Sequence, residues 1–287
     1  MPGWHQDPLQ CAPMPYTLAH PAAIVPLYRL MGRRAPLSAL AIGSMAPDFP
    51  YFLGGVAGDF SHSLSGMVLY CLPAGILAYL VFHFLLKRPT AALLPEPLAA
   101  RLSARSVERP ALSADALAAV AFAIALGVLT HILWDGFTHA DTFIVGQAEI
   151  LQSVVGTLDQ HEVRLFEALQ YVCSGVGLTA LAWWLRRWMQ RTPIERGRAC
   201  QSLPLGARYA LFALMGLAAF AVCLAAGLRS VETGQAFLVS AIVNAMQGWG
   251  AAWIAYCLAW HARAWSQGGA NNVRIVRIAR VQGSAGE

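Results

Sequence analysis

The chain has 287 residues, of which 57% are hydrophobic and only 12% carry a formal charge. Its mean hydropathy is +0.51 and its formal net charge is +5. A soluble domain of this length needs more charged surface, so the composition excludes a soluble enzyme and predicts an integral membrane protein. The basic residues fall in short loops beside apolar segments, which is typical of membrane topology and argues against nucleic-acid binding.

The N-terminal region precedes the long apolar segments. Residues 1–13 are polar and contain proline, without the pattern of a signal peptide, so we expect a flexible leader, with Met14 as an alternative start. Two short apolar segments follow at about 21–31 and 36–46, separated by Gly32-Arg33-Arg34. Each is too short to cross a bilayer with ease. We predict a helical hairpin that either enters the bilayer part way or lies against the bundle.

Five longer apolar segments approach the ~20 residues that a helix needs to cross a bilayer. They cover about 66–86, 115–134, 166–185, 209–228 and 236–260. All are rich in Ala, Leu and Gly, which suits close helix packing in lipid. We therefore predict an all-α fold, a polytopic transmembrane helix bundle of about five spans plus the short hairpin, as a single domain over 14–265. Residues 266–287 are expected to form a flexible tail.

The charged residues in the loops predict an orientation. Arginine and lysine cluster after the first span, after the third span and in the tail, which places these three regions in the cytoplasm by the positive-inside rule. The loop over 139–165 has four acidic residues against Arg164 alone, so we expect it outside. The C terminus is then cytoplasmic, and the outer ends of the first two spans share the opposite face.

Most of the His and Asp residues near the spans lie in four short motifs. They are Thr17-Leu18-Ala19-His20-Pro21, Gly43-Ser44-Met45-Ala46-Pro47-Asp48, Ser61-His62-Ser63-Leu64-Ser65-Gly66 and His131-Ile132-Leu133-Trp134-Asp135-Gly136-Phe137-Thr138-His139. Positions four apart share a helix face, so His131, Asp135 and His139 form one polar stripe at the outer end of the second span. His62 precedes the first span, and His20 and Asp48 bracket the hairpin. The charge pattern thus places all six on one side of the membrane.

These residue types point to a metal. Imidazole and carboxylate groups bind zinc, iron or manganese, and six of them could hold one ion with open positions or a pair of ions. Water on such an ion loses its proton near neutral pH and can attack phosphorus or a carbonyl carbon. A single His or Asp in such a place often only caps a helix or lies at the headgroup level, as Asp48 and His62 could. The metal hypothesis therefore depends on the six residues together.

At these same motifs the chain resembles a family of uncharacterised bacterial multi-pass membrane proteins, a domain of unknown function. Met14-Pro15-Tyr16-Thr17 through His20-Pro21 is similar to that family's Met-Pro-aromatic-Thr and His-Pro opening, and the later motifs resemble its Gly-Ser-x-x-Pro-Asp, His-Ser and His-x-x-x-Asp-x-x-x-His elements. More distantly, the pattern is similar to inner-membrane metal-dependent hydrolases of the YdjM type. The chain departs from that type at Phe49 and Pro50, which follow Asp48 without its second Asp and its His, and at Ser61, where it has Thr.

The residues and the resemblance together predict a metal-dependent hydrolase of a bacterial inner membrane, with an outward-facing site that acts on a lipid or lipid-linked phosphoester. The predicted ligands of a divalent ion are His20, Asp48, His62, His131, Asp135 and His139, with zinc expected first and manganese or iron as alternatives. Asp135 and His139 are the predicted catalytic residues, His139 as a general acid or a further ligand. The alternatives are a non-catalytic metal-binding protein, a transporter with its site near the bilayer midplane, and an assembly protein in which these residues cap helices. The expected partners are membrane lipids.

Overall fold

The computed structural model describes residues 15–32, 36–53, 60–102, 110–158, 161–194, 203–228 and 234–283. Over these residues the fold is an all-α helix bundle with one short β-hairpin, which confirms the predicted fold class. The predicted leader over 1–13 lies outside the described residues. The division into leader, membrane domain and tail stays a prediction.

Short helices form the N-terminal region. A 3-10 helix, Pro15–Ala19, leads into α1 (Pro21–Met31), which begins with a proline where a missing N–H costs no helical hydrogen bond. Helix α2 (Leu37–Gly43) follows, so the two predicted arms of the hairpin are both helical. A second 3-10 turn, Ala46–Asp48, and the five-residue helix α3 (Phe49–Leu53) complete this region.

The remaining elements include all the long helices. In chain order they are α4 (Leu64–Leu93), α5 (Glu96–Ala99), α6 (Ala114–Thr138), α7 (Phe143–Gln147), α8 (Glu149–Gln152), the antiparallel strands β1 (Val154–Leu158) and β2 (His161–Arg164), and then α9 (Leu165–Arg191), α10 (Leu205–Gly227) and α11 (Gly234–Gly283). Helix α4 contains two π-helical segments, Met67–Cys71 and Phe82–Leu86.

Four helices among the described residues are long and apolar enough to cross a membrane. The first is α4, and the second is the segment Ala114–Gln147, which contains α6 and α7. The third and fourth are α9 and α10. These four match the first four predicted spans. The fifth predicted span, 236–260, is helical within α11 but is not one of the four. This stretch contains no charged residue, and Asn244 and Gln247 are its two amide side chains.

Large apolar side chains cover the outer surfaces of the long helices. Phe122 and Leu133 on α6 and Leu217 and Phe220 on α10 are all exposed. Water would make such surfaces prone to aggregation, whereas lipid tails are as apolar as these side chains. The exposed surface of the bundle therefore agrees with the apolar composition of the four helices.

The buried core lies where α2 crosses α6. Leu40 on α2 and Ile124 on α6 are fully buried there. The two backbones approach closely because glycine stands on both helices: a Cβ at Gly127 would contact the Leu40 carbonyl oxygen and lie 2.7 Å from the Ser44 nitrogen. This crossing places the end of α2 directly against α6.

The last two long helices, α10 and α11, pack mainly against each other. Two hydrogen bonds join α11 to earlier parts of the chain. Gln247 donates to the Phe52 carbonyl oxygen at 2.9 Å, and Trp253 Nε1 donates to Thr90 Oγ1 at 3.0 Å. The α10–α11 pair is therefore a second layer of the bundle, attached to α3 and α4.

Candidate metal centre

Three of the six predicted ligands come from the N-terminal region. His20 links the first 3-10 helix to α1, and Asp48 ends the second 3-10 turn. His62 lies two residues before α4, whose first turn is capped by the Ser63 hydroxyl. These positions lie at helix termini, where a short segment can place a side chain toward a neighbouring helix end.

The other three predicted ligands come from α6 and the residue after it. His131 and Asp135 lie on consecutive turns of α6, which ends at Thr138. At His139 the backbone becomes extended, with φ −126° and ψ 137°. The imidazole still lies beside Asp135, with 3.4 Å between His139 Nδ1 and Asp135 Oδ1. The predicted stripe is therefore formed, although its third member lies just beyond the helix.

Four of the six side chains converge on a common point. His62 Nε2 and His131 Nε2 lie 3.2 Å apart. His62 Nε2 is 3.3 Å from Asp48 Oδ1 and 3.4 Å from Asp135 Oδ2. His131 Nε2 is 3.4 Å and 2.9 Å from the same two oxygens. Ligands about 2.1 Å from a tetrahedral ion are about 3.4 Å from one another, so these spacings fit one ion of the size of zinc.

The remaining two histidines face the other oxygen of Asp135. His20 Nε2 is 3.6 Å from Asp135 Oδ1, and the His20 ring stacks on His131 with 3.9 Å between centroids. His139 approaches the same oxygen. Asp135 Oδ1 and His20 Nδ1 are buried atoms without a hydrogen-bond partner among the described residues. An unpaired buried carboxylate oxygen is costly, and a cation would remove that cost.

The centre is buried on most sides. The His131 side chain is fully buried, and those of Asp48, Asp135 and His20 are nearly so. The exposed fraction is 22% for His62 and 42% for His139. The opening of the centre is therefore at His62 and His139.

The protonation states of the ligands that lie outside the four long apolar helices follow from burial and charge. Burial lowers the pKa of His62, but hydrogen bonds to the Asp135 and Asp48 carboxylates outweigh it and raise this pKa to about 9. Burial raises the pKa of Asp48, but hydrogen bonds from His131 and His62 outweigh it and hold this pKa well below its usual range. Burial and the neighbouring His131 lower the pKa of His20 to about 4. Near neutral pH Asp48 and His20 therefore have the deprotonated form that a metal needs.

The family model described as a domain of unknown function (DUF4184) matches residues 14–258. The chain belongs to the DUF4184 family. The matched region contains all six predicted ligands and all four long apolar helices. No curated protein and no solved structure matches the chain. Because the DUF4184 description specifies no activity, the chemistry has to be inferred from the centre itself.

Three residues of this DUF4184 chain support the ligands but were not assigned a role from sequence. His131 Nδ1 donates to the Ser44 carbonyl oxygen at 2.8 Å, which leaves the Nε2 lone pair facing the centre. Thr17 Oγ1 donates to Asp48 Oδ2 at 2.5 Å, which leaves Oδ1 facing the centre. Gln170 Nε2 on α9 lies 3.2 Å from His139 Nε2. Thr17 and Ser44 lie inside the quoted motifs, whereas no sequence signal indicates Gln170.

Proposed function

We propose that this chain is a membrane-embedded metal-dependent hydrolase whose outward-facing site acts on a lipid or lipid-linked phosphoester. The observation that supports this proposal is the convergence of Asp48, His62, His131 and Asp135 in a bundle with four long apolar helices. Zinc suits this mixed set of nitrogen and oxygen ligands, with manganese or iron as alternatives. A divalent ion held there would polarise a phosphoryl oxygen and lower the pKa of a coordinated water to about 7.

The side chains of the centre have two proposed roles, binding the ion and transferring protons. Asp48, His62, His131 and Asp135 hold the ion, while Ser44 and Thr17 fix the orientation of two of these ligands. His139 is the most exposed imidazole of the centre, so it can reach a bound substrate. At that position it can coordinate an ion or protonate a leaving group.

The surroundings of the opening favour an amphiphilic substrate. Exposed apolar side chains lie next to the ligands in sequence: Leu18 before His20, Phe60 and Leu64 on either side of His62, and Phe137 before His139. A phosphate group could then enter the polar centre while an acyl or prenyl chain stays against these side chains and the surrounding lipid.

Transport is the second candidate, and the cavity between α10 and α11 does not support it. A path through the protein would have to join His131 to polar residues deeper in the bundle. Asn244 lines a cavity of about 130 Å³ between α10 and α11. The other lining residues are Cys223, Ala226, Gly227, Phe237, Ser240 and Ala241. Among the described residues, none of the predicted ligands lines this cavity, which favours hydrolysis at the centre over conduction through this cavity.

The first experiment is elemental analysis of the purified protein beside the double variant His131→Ala, Asp135→Ala. Bound metal in the wild type that is lost from the double variant supports the proposal, and absence of metal from both contradicts it. The matched control is His261→Ala, since His261 contacts the Leu85 carbonyl oxygen rather than the centre. This variant should keep its metal.

The second experiment measures catalysis with the metal-loaded protein. Phosphate release from phosphatidic acid or a polyprenyl phosphate in mixed micelles should depend on His131 and Asp135. The contrary result is a metal-loaded wild type that releases no phosphate from either lipid but carries the ion across vesicle membranes. That result would contradict hydrolysis and support transport.

A further inference from the structure

We infer that the centre holds two divalent ions bridged by the Asp135 carboxylate. This inference depends on the proposed metal site and adds a second ion to it. The first position is the one formed by Asp48, His62, His131 and Asp135 Oδ2, and its four protein ligands complete a tetrahedral shell. A hydrolytic ion instead keeps at least one position open for water or substrate. An ion at the first position alone would therefore have to take a fifth ligand in order to bind water or substrate.

The second position lies on the other side of the same carboxylate. His20 Nε2 and His139 Nδ1 approach Asp135 Oδ1 at 3.6 Å and 3.4 Å. These two spacings match the edges of about 3.4 Å expected around a tetrahedral ion. An ion held by these three atoms would have its fourth position open, as in catalytic zinc sites. His139 lies at the opening, so the open position is accessible from outside the centre.

The second position is also where the described residues leave a carboxylate oxygen unsatisfied. Asp135 Oδ1 is buried without a hydrogen-bond partner. By contrast, Asp48 Oδ2 accepts a hydrogen bond from Thr17, which commits this oxygen to the protein. Asp48 is therefore suited to bind one ion, whereas both oxygens of Asp135 face imidazole nitrogens. A carboxylate in this arrangement bridges two ions.

Gln170 controls whether His139 can act as a ligand through Nδ1. The side-chain amide of Gln170 lies 3.2 Å from His139 Nε2. With its oxygen on that side, the amide accepts the Nε2 proton and leaves a lone pair on Nδ1, which now lies 3.0 Å from Thr138 Oγ1. An ion at the second position would take the place of that hydroxyl contact. Amide nitrogen and oxygen exchange places by a half turn of the side chain, so Gln170 can provide this orientation. An acceptor for the second ring N–H usually accompanies a metal-binding histidine.

A bridging carboxylate places two ions about 3.5–4 Å apart. This spacing suits the attacking and leaving oxygens of a phosphoester, which favours phosphate esters over carboxylic esters as the substrate class. The second ion thus narrows the proposed lipid substrate to one with a phosphate headgroup.

The test is the stoichiometry of manganese in the full-length protein, purified in detergent, stripped with chelator and reloaded with Mn²⁺. Wild type should bind about two equivalents and show the electron paramagnetic resonance spectrum of a spin-coupled pair. His139→Ala should bind about one equivalent with the spectrum of an isolated ion. His139 is partly exposed, so this variant is expected to fold, and His261→Ala is the control that keeps the pair.

The outcomes separate the two proposals. One equivalent in the wild type, with an uncoupled spectrum, overturns the bridged pair and leaves the single-ion site standing. No bound manganese or zinc in the wild type overturns both. A coupled spectrum that survives in His139→Ala overturns the assignment of His139 to the second position. If His139→Ala does not fold, the coupled or uncoupled spectrum of the wild type alone decides between one ion and two.

Discussion

The two carboxylates of the centre differ in what their oxygens contact. Asp48 directs Oδ1 at the two imidazole nitrogens and uses Oδ2 to accept the Thr17 hydroxyl. Asp135 directs both oxygens at imidazoles. The partner of Asp48 is therefore a protein group that can be removed without touching any ligand.

Thr17→Val should weaken the ion site while preserving the shape of the side chain. Without the hydroxyl, Asp48 Oδ2 loses its donor and the carboxylate is free to rotate. Loss of such an outer-shell partner typically lowers metal affinity by about 10- to 100-fold. Competition with a chelating dye measures the change. Thr179→Val is the matched control, because Thr179 donates only to the Gly175 carbonyl oxygen on α9 and should leave affinity unchanged.

Metal affinity should also fall as the pH is lowered. The pKa of His62 is raised to about 9 by the carboxylates, so below that pH the imidazole carries a proton that an ion must displace. Affinity is then highest above pH 9 and falls about tenfold for each unit below it. Titrations of Zn²⁺ or Mn²⁺ against the dye at several pH values measure this slope. A constant affinity across this pH range would show that binding of the ion displaces no proton from His62. His62 would then not be a ligand.

At the scale of single elements, the crossing of α2 and α6 determines where two of the predicted ligands lie. Gly43 and Gly127 let the backbones touch, and the next turn of α6 brings His131 to the Ser44 carbonyl oxygen. A wider crossing would separate His131 from the end of α2 and from Asp48, which follows it. The glycines of this crossing thus contribute to the geometry of the centre without touching it.

Gly127→Ala should destabilise the bundle and reduce bound metal together. The new methyl group would contact the Leu40 carbonyl oxygen, which is backbone and cannot move aside alone. Overpacking of this kind costs about 1–3 kcal/mol. Thermal unfolding in detergent and elemental analysis measure the two effects. Gly175→Ala is the control, since a Cβ there meets nothing within 4 Å. If both variants had the same unfolding temperature and the same bound metal, the proposed role of the α2–α6 crossing in positioning the centre would be contradicted.

Helical spacing explains which site residues the sequence could predict. His131 and Asp135 follow from the turn of an α-helix, and the structure places them side by side. The groups that support the ligands could not be predicted in this way. Ser44 contributes only a carbonyl oxygen to His131, 87 residues away, and Thr17 donates to Asp48 across 31 residues. A backbone oxygen has no residue-type signal, and contacts this distant depend on how the helices pack. The same limit explains why Gln170 was missed.

Four of the long helices were predictable from their apolar runs. The predicted span that is not among these four is the fifth, near the C-terminal end. α4, α6, α9 and α10 each contain an uninterrupted apolar stretch, and each matches a predicted span. The predicted fifth span contains Asn244 and Gln247, and Gln247 bonds to α3 inside the protein. Polar groups that are satisfied within the fold are tolerated in a membrane-spanning helix, so these two amides are compatible with the predicted span.

At the scale of the whole molecule, the loop charges predict that the two ends of α9 lie on opposite sides of the membrane. This helix has 27 residues and is therefore about 40 Å long, enough to cross a bilayer. Glu149→Cys, before the β-hairpin, should react with a membrane-impermeant maleimide in intact cells. Arg191→Cys should react only after lysis, and the wild type measures the background from native cysteines. The reverse pattern would place the centre in the cytoplasm.

All six predicted ligands, together with Thr17 and Ser44, lie between residues 17 and 139, in the first half of the chain. Because synthesis proceeds from the N terminus, the ribosome has delivered every one of them before it begins α10 and α11. An ion can therefore join the N-terminal helices to α6 while the chain is still growing. The last two helices would then pack onto a half that such an ion has already cross-linked, through the bonds of Gln247 and Trp253. In this order of events, the supply of metal during translation would influence how much correctly assembled protein a cell obtains.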